Sequence, residues 1–283
     1  MDNTKKSRVI GDHFESMQDS IVNLGIVAKN LDHIPRVSLE QLDPWESPKE
    51  RLLIVFLART GSTWLCELMN KTNSMGYARE SLHAQELINH FESGDYNNLN
   101  EIMRASVGEH CTKNGIYSAK STFHTLAPMF LLEEFPNNLE RWKIVVLTRD
   151  DKLDQAISIV KLNKNRKSTS FDNSLITVVE EDYDYNEISK RLNLIMKGEK
   201  TIFTFLQAYG ANYLKISYEK LSSNPKQIID QISEFCNITI SNVDTESQFD
   251  IQRDEISAKW KKRWLEDAKN ENPLFSNNIL FKR

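Results

Sequence analysis

From Leu52 to Ala58 the chain runs LLIVFLA, seven apolar residues without polar alternation. A run of that length suits a β-strand buried on both faces, as in a parallel sheet covered by helices. Three further short apolar stretches have the same character: GIYSAKS at 115–121, KIVVLTR at 143–149 and YLKISY at 213–218. Between and after them the apolar positions change to helical spacing, which predicts helices over 63–72, 84–107 with a break at Gly94, 125–135, 152–165, 181–209 and 223–236. Strands alternating with helices predict an α/β fold of three layers, a central parallel sheet flanked by helices. No internal repeat or low-complexity tract interrupts this order.

The first 50 residues are more polar, with Phe14, Met17, Ile21, Leu24 and Val27 near helical spacing. They predict a helical N-terminal extension over 1–50, packed on the main body or serving as a dimerisation arm. It ends in DPWESPKE at 43–50, whose two prolines and mixed charge read as a linker. Residues 51–283 then form one main domain. KNRKSTSFDNS at 164–174 reads as a polar loop.

Composition narrows the function classes. The 283 residues are 40% hydrophobic and carry a net charge of −4, enough for a sizeable core and contrary to wholesale nucleic-acid binding. A small basic pocket for an anion remains compatible with that balance. Cys66, Cys111 and Cys236 are odd in number and widely spaced, so neither a disulfide framework nor a metal-binding cluster is expected. The N-terminus lacks a signal-peptide pattern, and no apolar run approaches the ~20 residues of a membrane-spanning helix. These features predict a soluble cytoplasmic protein without a transmembrane segment.

The chemistry concentrates directly after the first strand, in LARTGSTWLCE at 57–67. A loop at the carboxyl end of a parallel strand, followed by a helix, presents unpaired amides and the positive end of the helix dipole. Gly61 permits a tight backbone turn, Ser62 and Thr63 add hydroxyls, and Arg59 adds a permanent forked cation suited to phosphate or sulfate. The plainer explanation is a capped helix start with Thr60 or Ser62 as the N-cap. The Gly-x-x-x-x-Gly-Lys-Ser/Thr string of the common nucleotide-binding loop is absent, which counts against an ATP-dependent kinase or NTPase.

ARTGSTW resembles the 5′-phosphosulfate loop of sulfotransferases that use 3′-phosphoadenosine-5′-phosphosulfate (PAPS). VVLTRDDKLDQAIS, with an arginine ending a strand and Ser158 nine positions later, resembles that superfamily's second signature. ISYEKLSSNPKQIIDQISEFCNI at 216–238 resembles its Tyr-Glu-x-Leu…Pro block, here treated as structural. The resemblance implies a P-loop-like fold in which Arg59, Thr60, Gly61, Ser62 and Thr63 cradle the 5′-phosphosulfate. It puts Trp64 near the adenine, and Arg149 with Ser158 on the 3′-phosphate. An ordinary ion pair of Arg149 with Asp150 or Asp151 is the plainer alternative. Within the superfamily, GSTWLCELM, RES and QRDEISAKWKKRW at 252–264 look most like the bacterial trehalose 2-sulfotransferase family. The chain departs from that pattern in reading GYARES after the first helix and in lacking a tryptophan motif after Ser158, both on the acceptor side.

In-line sulfuryl transfer needs a base for the acceptor proton, stabilisation of the departing phosphate and exclusion of water, with no requirement for a metal. Arg59 and the loop amides suit the departing phosphate. The resemblance makes Glu80 the general base, against a plainer pairing with Arg79; His83 and His124 are the rival bases. Lys120 could contact donor or acceptor, although a lysine at a strand end is commonly just solvated. Cys66 is expected to be buried. Trp142, Trp260 and Trp264 could stack on a sugar, with packing of Trp260 and Trp264 on one helix face preferred. The resulting expectation is transfer from PAPS to a hydroxyl of a carbohydrate or glycolipid. A non-catalytic nucleotide-binding or regulatory protein of the same fold is the alternative. The acceptor would be a small molecule or glycan, and the N-terminal arm and long helical region are candidate homodimer surfaces.

Overall fold

The computed structural model describes residues 48–81, 84–123, 141–165, 178–240 and 255–271. The expected N-terminal helix and most of its linker, His83, His124, the helix over 125–135 and most of the loop at 164–174 lie outside those residues. In chain order the elements are β1 (Glu50–Phe56), α1 (Ser62–Lys71), α2 (Ala84–Glu92), α3 (Leu99–His110), β2 (Ile116–Thr122), β3 (Trp142–Thr148) and α4 (Lys152–Asn165). A 3₁₀ turn (Glu180–Asp182) precedes α5 (Tyr185–Ala208), β4 (Tyr213–Ser217), α6 (Tyr218–Ser223), α7 (Pro225–Cys236) and α8 (Glu255–Glu271).

The four strands form one parallel sheet in the order β2-β1-β3-β4. Alternation along β1 explains its continuous apolar sequence. Leu53 and Val55 face one core with Ile102, Met103 and Val107 of α3 and Ile202, Phe205 and Leu206 of α5. Leu52, Ile54 and Phe56 face the other, with Leu65, Leu68 and Met69 of α1 and Ile228, Ile229 and Ile232 of α7. Successive strand residues point to opposite faces, so a central strand between two helical layers has no polar side. The predicted three-layer α/β architecture is therefore the observed one.

The chain leaves β1 for β2 on one side and later returns to β3 on the other. The carboxyl ends of β1 and β3 thus flank the point where strand order reverses, the usual ligand crevice of such sheets.

The residues divide into two compact units. One contains the sheet with α1, α2, α3, α6, α7 and the C-terminal half of α5, and the other comprises 151–196 and 248–283. In the second unit Trp260 is fully buried, with its indole N–H donating to the Glu180 carbonyl at 3.3 Å. Trp264 stacks on Tyr185 at 5.7 Å and donates to Ser189 Oγ at 2.9 Å. Both indoles are thus committed to packing, as preferred from the sequence.

Helix limits differ from expectation where caps intervene. The helical pattern expected over 84–107 with a break at Gly94 is observed as α2, which ends at Glu92, and α3, which Asn98 starts by accepting the Glu101 N–H at 3.0 Å. The expected 223–236 helix begins at Pro225, with Asn224 accepting the Gln227 N–H at 3.2 Å, and a separate short α6 precedes it.

Candidate active site

The loop from Leu57 to Gly61 turns the chain from β1 into α1 through two left-handed residues, Arg59 at φ 65° and Gly61 at φ 81°. For Gly61 that conformation is free of steric cost; for an arginine it is strained. Gly61 is the helix N-cap and makes no side-chain cap bond, so the plainer alternative of Thr60 or Ser62 as the cap is not found. Thr60 is buried and its hydroxyl donates to the Leu57 carbonyl at 2.9 Å, fastening the turn. Because Gly61 accepts from the Leu65 N–H at 3.0 Å, the amides of Ser62, Thr63 and Trp64 form the first turn that lacks intrahelical acceptors. Six residues after Phe56, the chain therefore offers N–H groups, a dipole end and an arginine in one place.

Arg149 follows β3 and lies in the same unit. Its guanidinium carbon stands 5.1 Å from the centroid of the Tyr218 ring. Burial, and after it the Arg149 charge, holds the Arg59 guanidinium below its ordinary value, while Tyr218 acts in the opposite sense. The two arginines, each following a strand, are near enough for the Arg149 charge to act on Arg59. Asp151, the rival partner for Arg149, caps α4 through the Asp154 N–H at 2.9 Å and pairs with Lys261. Tyr218 also sits under the first loop: a Cβ at Gly61 would come within 2.7 Å of Tyr218 Cδ2. Trp64 meets the same ring edge-on at 6.5 Å, packs on the α1–α7 core, and encloses its Nε1 without a hydrogen-bond partner among the described residues.

Glu80 reaches the site from the opposite side through a segment moulded to the edge of the sheet. Asn70 on α1 accepts the Ala78 N–H at 2.8 Å, and Arg79 O accepts the Lys120 N–H at 2.8 Å. Gly76, at φ 77°, passes so close to Ser118 that a Cβ would be 2.4 Å from its Oγ. Glu80 Oε1 then pairs with Lys120 Nζ at 3.1 Å, and the same ammonium donates to Thr63 Oγ1 at 3.2 Å. Lys120 keeps only 11% of its side-chain surface exposed against 47% for Glu80, so it is not the solvated strand-end lysine the sequence suggested. It links the carboxylate to the first turn of α1. Behind them Cys66 is buried, which pushes its thiol up to about 12.

Of the residues singled out from the sequence, Arg59, Thr60, Gly61, Ser62, Thr63, Trp64, Glu80 and Arg149 belong to one unit around the carboxyl ends of β1, β2 and β3. Ser158 belongs to the other unit, half-buried on α4. Lys120, weighed in the sequence as a donor or acceptor contact or a solvated lysine, and Tyr218 and Glu219, read there as part of a structural block, also lie at these strand ends. Their signal was position: Lys120 lies near the carboxyl end of β2, and the Tyr-Glu pair immediately follows β4. Among the described residues no group of three or more His, Cys, Asp or Glu side chains could hold a metal, and no helix is long and apolar enough to cross a membrane.

A family model described as "Sulfotransferase domain" matches residues 49–279. Among solved structures, the chain is similar to a sulfotransferase from Alicyclobacillus acidocaldarius, with 14% identity, 82% of this chain and 97% of that one covered, and a TM-score of 0.47. It is similar to the sulfotransferase domain from the curacin biosynthetic pathway, with 17% identity, 75% and 82% coverage, and a TM-score of 0.43. It is also similar to retinol dehydratase in complex with androsterone and inactive cofactor PAP, with 13% identity, 81% and 68% coverage, and a TM-score of 0.36. No curated protein matches the sequence.

Proposed function

The chain belongs to the sulfotransferase domain family, and from that premise we propose that it moves the sulfuryl group of PAPS to a hydroxyl of a carbohydrate or glycolipid. The observation that carries the donor assignment is the gathering at neighbouring strand ends of Arg59, the open first turn of α1 and Arg149, which lies against the Tyr218 ring. Holding two like charges together is unfavourable, and a ligand with two separated anionic groups relieves the repulsion at both. PAPS has that form, with a 5′-phosphosulfate and a 3′-phosphate on one nucleoside.

In this reading the amides of Ser62, Thr63 and Trp64 and the Arg59 guanidinium hold the 5′ end, and Arg149 holds the 3′-phosphate. The motif resemblance adds Ser158 to the 3′-phosphate, an assignment that rests on sequence. Glu80 takes the proton of the acceptor hydroxyl as its oxygen attacks sulfur. The S–O bond to the bridging oxygen breaks, and its electron pair leaves with the 5′-phosphate as PAP. Negative charge grows on that leaving oxygen, where Arg59, the amides and Lys120 place positive charge.

The Glu80 carboxylate is half-exposed, so an acceptor hydroxyl can reach it. A sugar acceptor rests on the resemblance to the trehalose 2-sulfotransferase family.

The test is calorimetric titration of the full chain with PAP, ADP and ATP, for wild type and Arg59→Ala. The proposal expects tight binding of PAP, a large loss for ADP, and weakening of PAP by at least about tenfold in the variant. A preference for ATP, or no binding of PAP, overturns it. With binding established, sulfate transfer from PAPS to a sugar panel identifies the acceptor class.

A further inference from the structure

We propose that Tyr117 is a positioning residue for the transfer step: its buried hydroxyl, bonded to Ser81, fixes the stretch of chain that presents Glu80. The inference rests on the reading of Glu80 as the base for the acceptor hydroxyl, because it concerns what holds that carboxylate in place.

Tyr117 lies in β2 and is fully buried in the apolar layer formed with α3 and α5, edge-on to Trp142 at 5.8 Å. A phenylalanine would fill the same space without a polar atom to desolvate, so a hydroxyl at this depth needs partners. The phenol finds them in Ser106 Oγ of α3, with which it shares a hydrogen bond at 3.1 Å, and in Ser81 Oγ at 3.3 Å. Burial pushes the phenol above its ordinary value, against the effect of the two serine bonds, so the group stays a neutral hydroxyl. Ser106 ties it to the helical layer. Ser81 is the residue after Glu80.

The segment around Glu80 grips β2 from both faces. Positions 117 and 120 differ by an odd number along a strand, so their side chains point to opposite sides of the sheet. Tyr117 faces α3 and α5, whereas the Lys120 ammonium lies 5.6 Å from the centroid of the Phe56 ring on the α1 side. Arg79 bridges to Ala119 between them, and its carbonyl accepts the Lys120 N–H at 2.8 Å. Glu80 then pairs with Lys120 on one face, and Ser81 bonds Tyr117 on the other. The ion pair alone is a weak restraint, since the carboxylate is half-exposed and the lysine is long and flexible. A general base works only with its oxygen held within reach of the acceptor proton. The buried hydroxyl supplies that restraint from the rigid side, without touching the reacting atoms.

The test follows PAP release from PAPS by the full chain, with water as the acceptor, which yields sulfate and PAP, and with a panel of sugars including trehalose. Hydrogen exchange of the peptide covering 76–81 is measured alongside. Tyr117→Phe and Ser81→Ala are each expected to lower kcat by about ten- to a hundredfold while PAP affinity stays within about twofold. Ser81→Thr, which keeps the hydroxyl, restores the wild-type rate. The double variant is no slower than the slower single one, because both changes remove the same bond. In a Glu80→Gln background Ser81→Ala slows the reaction no further, whereas a merely structural loss would multiply. Exchange over 76–81 quickens in both single variants and that of α7 does not. Should Tyr117→Phe fail to fold, Ser81→Ala removes the same bond from its half-buried end. Full-rate turnover in Ser81→Ala, losses that multiply in either double variant, or unchanged exchange over 76–81 would overturn the inference and leave the functional reading standing. Wild-type turnover in Glu80→Gln removes the base, and no PAP release by the wild type removes the transfer activity; either result overturns this inference with the reading it rests on.

Discussion

Replacing Gly61 by alanine separates two physical effects at the donor loop. The first is conformational: at φ 81° an L-residue adopts the left-handed region, at a cost of about 1–2 kcal/mol. The second is steric. The new Cβ would lie 2.7 Å from Tyr218 Cδ2 and 3.2 Å from Cε2, so the ring must shift. Forced repacking of that kind costs about 1–3 kcal/mol. Gly94 supplies an internal control, since it has φ 78° with nothing within 4 Å of its would-be Cβ. Gly94→Ala carries the first effect alone, and the reduced entropy of the unfolded chain is common to both substitutions.

Urea denaturation should therefore find Gly61→Ala less stable than Gly94→Ala by about 1–3 kcal/mol. PAP affinity should fall in the first and not in the second, because only the first moves the ring beneath Arg149. In a Tyr218→Ala background the clash has no partner, so the double variant should lose less stability than the sum of the two single losses by about the same 1–3 kcal/mol. Equal losses at the two glycines, or strict additivity in the double variant, would refute the account of Gly61 as a spacer against Tyr218.

Glu80→Gln should leave PAP affinity within about twofold and lower turnover by roughly 10²–10⁴; normal turnover would remove Glu80 from the base role. Arg59→Gly and Arg59→Ala both delete the cation and should both lose PAP binding. The glycine variant relieves the φ 65° strain and should be more stable in urea than the alanine one by about 1 kcal/mol. Equal stability would show that the loop relaxes without the arginine. Burial pushes the Cys66 and Cys236 thiols from 9.0 to about 12. Between those values the unfolded chain releases these protons and the folded chain keeps them, so stability falls as pH rises. Each thiol contributes about 1.4 kcal/mol per pH unit in that window. Cys66→Ala should flatten the slope measured by urea denaturation at pH 9 to 11 by that amount, and an unchanged slope would show that the thiol is not held neutral.

How much of this was legible in the sequence depended on how far each feature is determined by its own neighbours in the chain. The strands were legible because burial on both faces leaves no polar position, as in LLIVF of β1. The loop after β1 was legible because a glycine between an arginine and two hydroxyl residues, at the end of such a strand, has few other uses. Helix limits were less so. The break at Gly94 was legible, but the starts of α3 at Leu99 and of α7 at Pro225 are set by the cap bonds of Asn98 and Asn224, which leave the apolar spacing unchanged.

The pairing of residues across the sheet was beyond reach, and it decides what Lys120 and Tyr218 do. Lys120 is a strand-end lysine by pattern, yet the parallel register places its residue beside Ile54 of β1, and its ammonium reaches both Thr63 and Glu80. Tyr218 and Arg149 are far apart in sequence and meet because β3 and β4 are adjacent, with Thr148 opposite Ser217 at their carboxyl ends. Neither adjacency has a local signature, since strand order is set by which helices cover which face. A parallel sheet nevertheless brings every strand's carboxyl end to one edge, so charged and aromatic residues just after the strands are predisposed to meet there. Applied to this chain, that rule selects Arg59, Arg149 and Tyr218 together, and Lys120 lies two residues before the end of β2. A Tyr-Glu pair that looks like helix packing in one dimension is therefore better weighed by the strand end it follows than by the helix it begins.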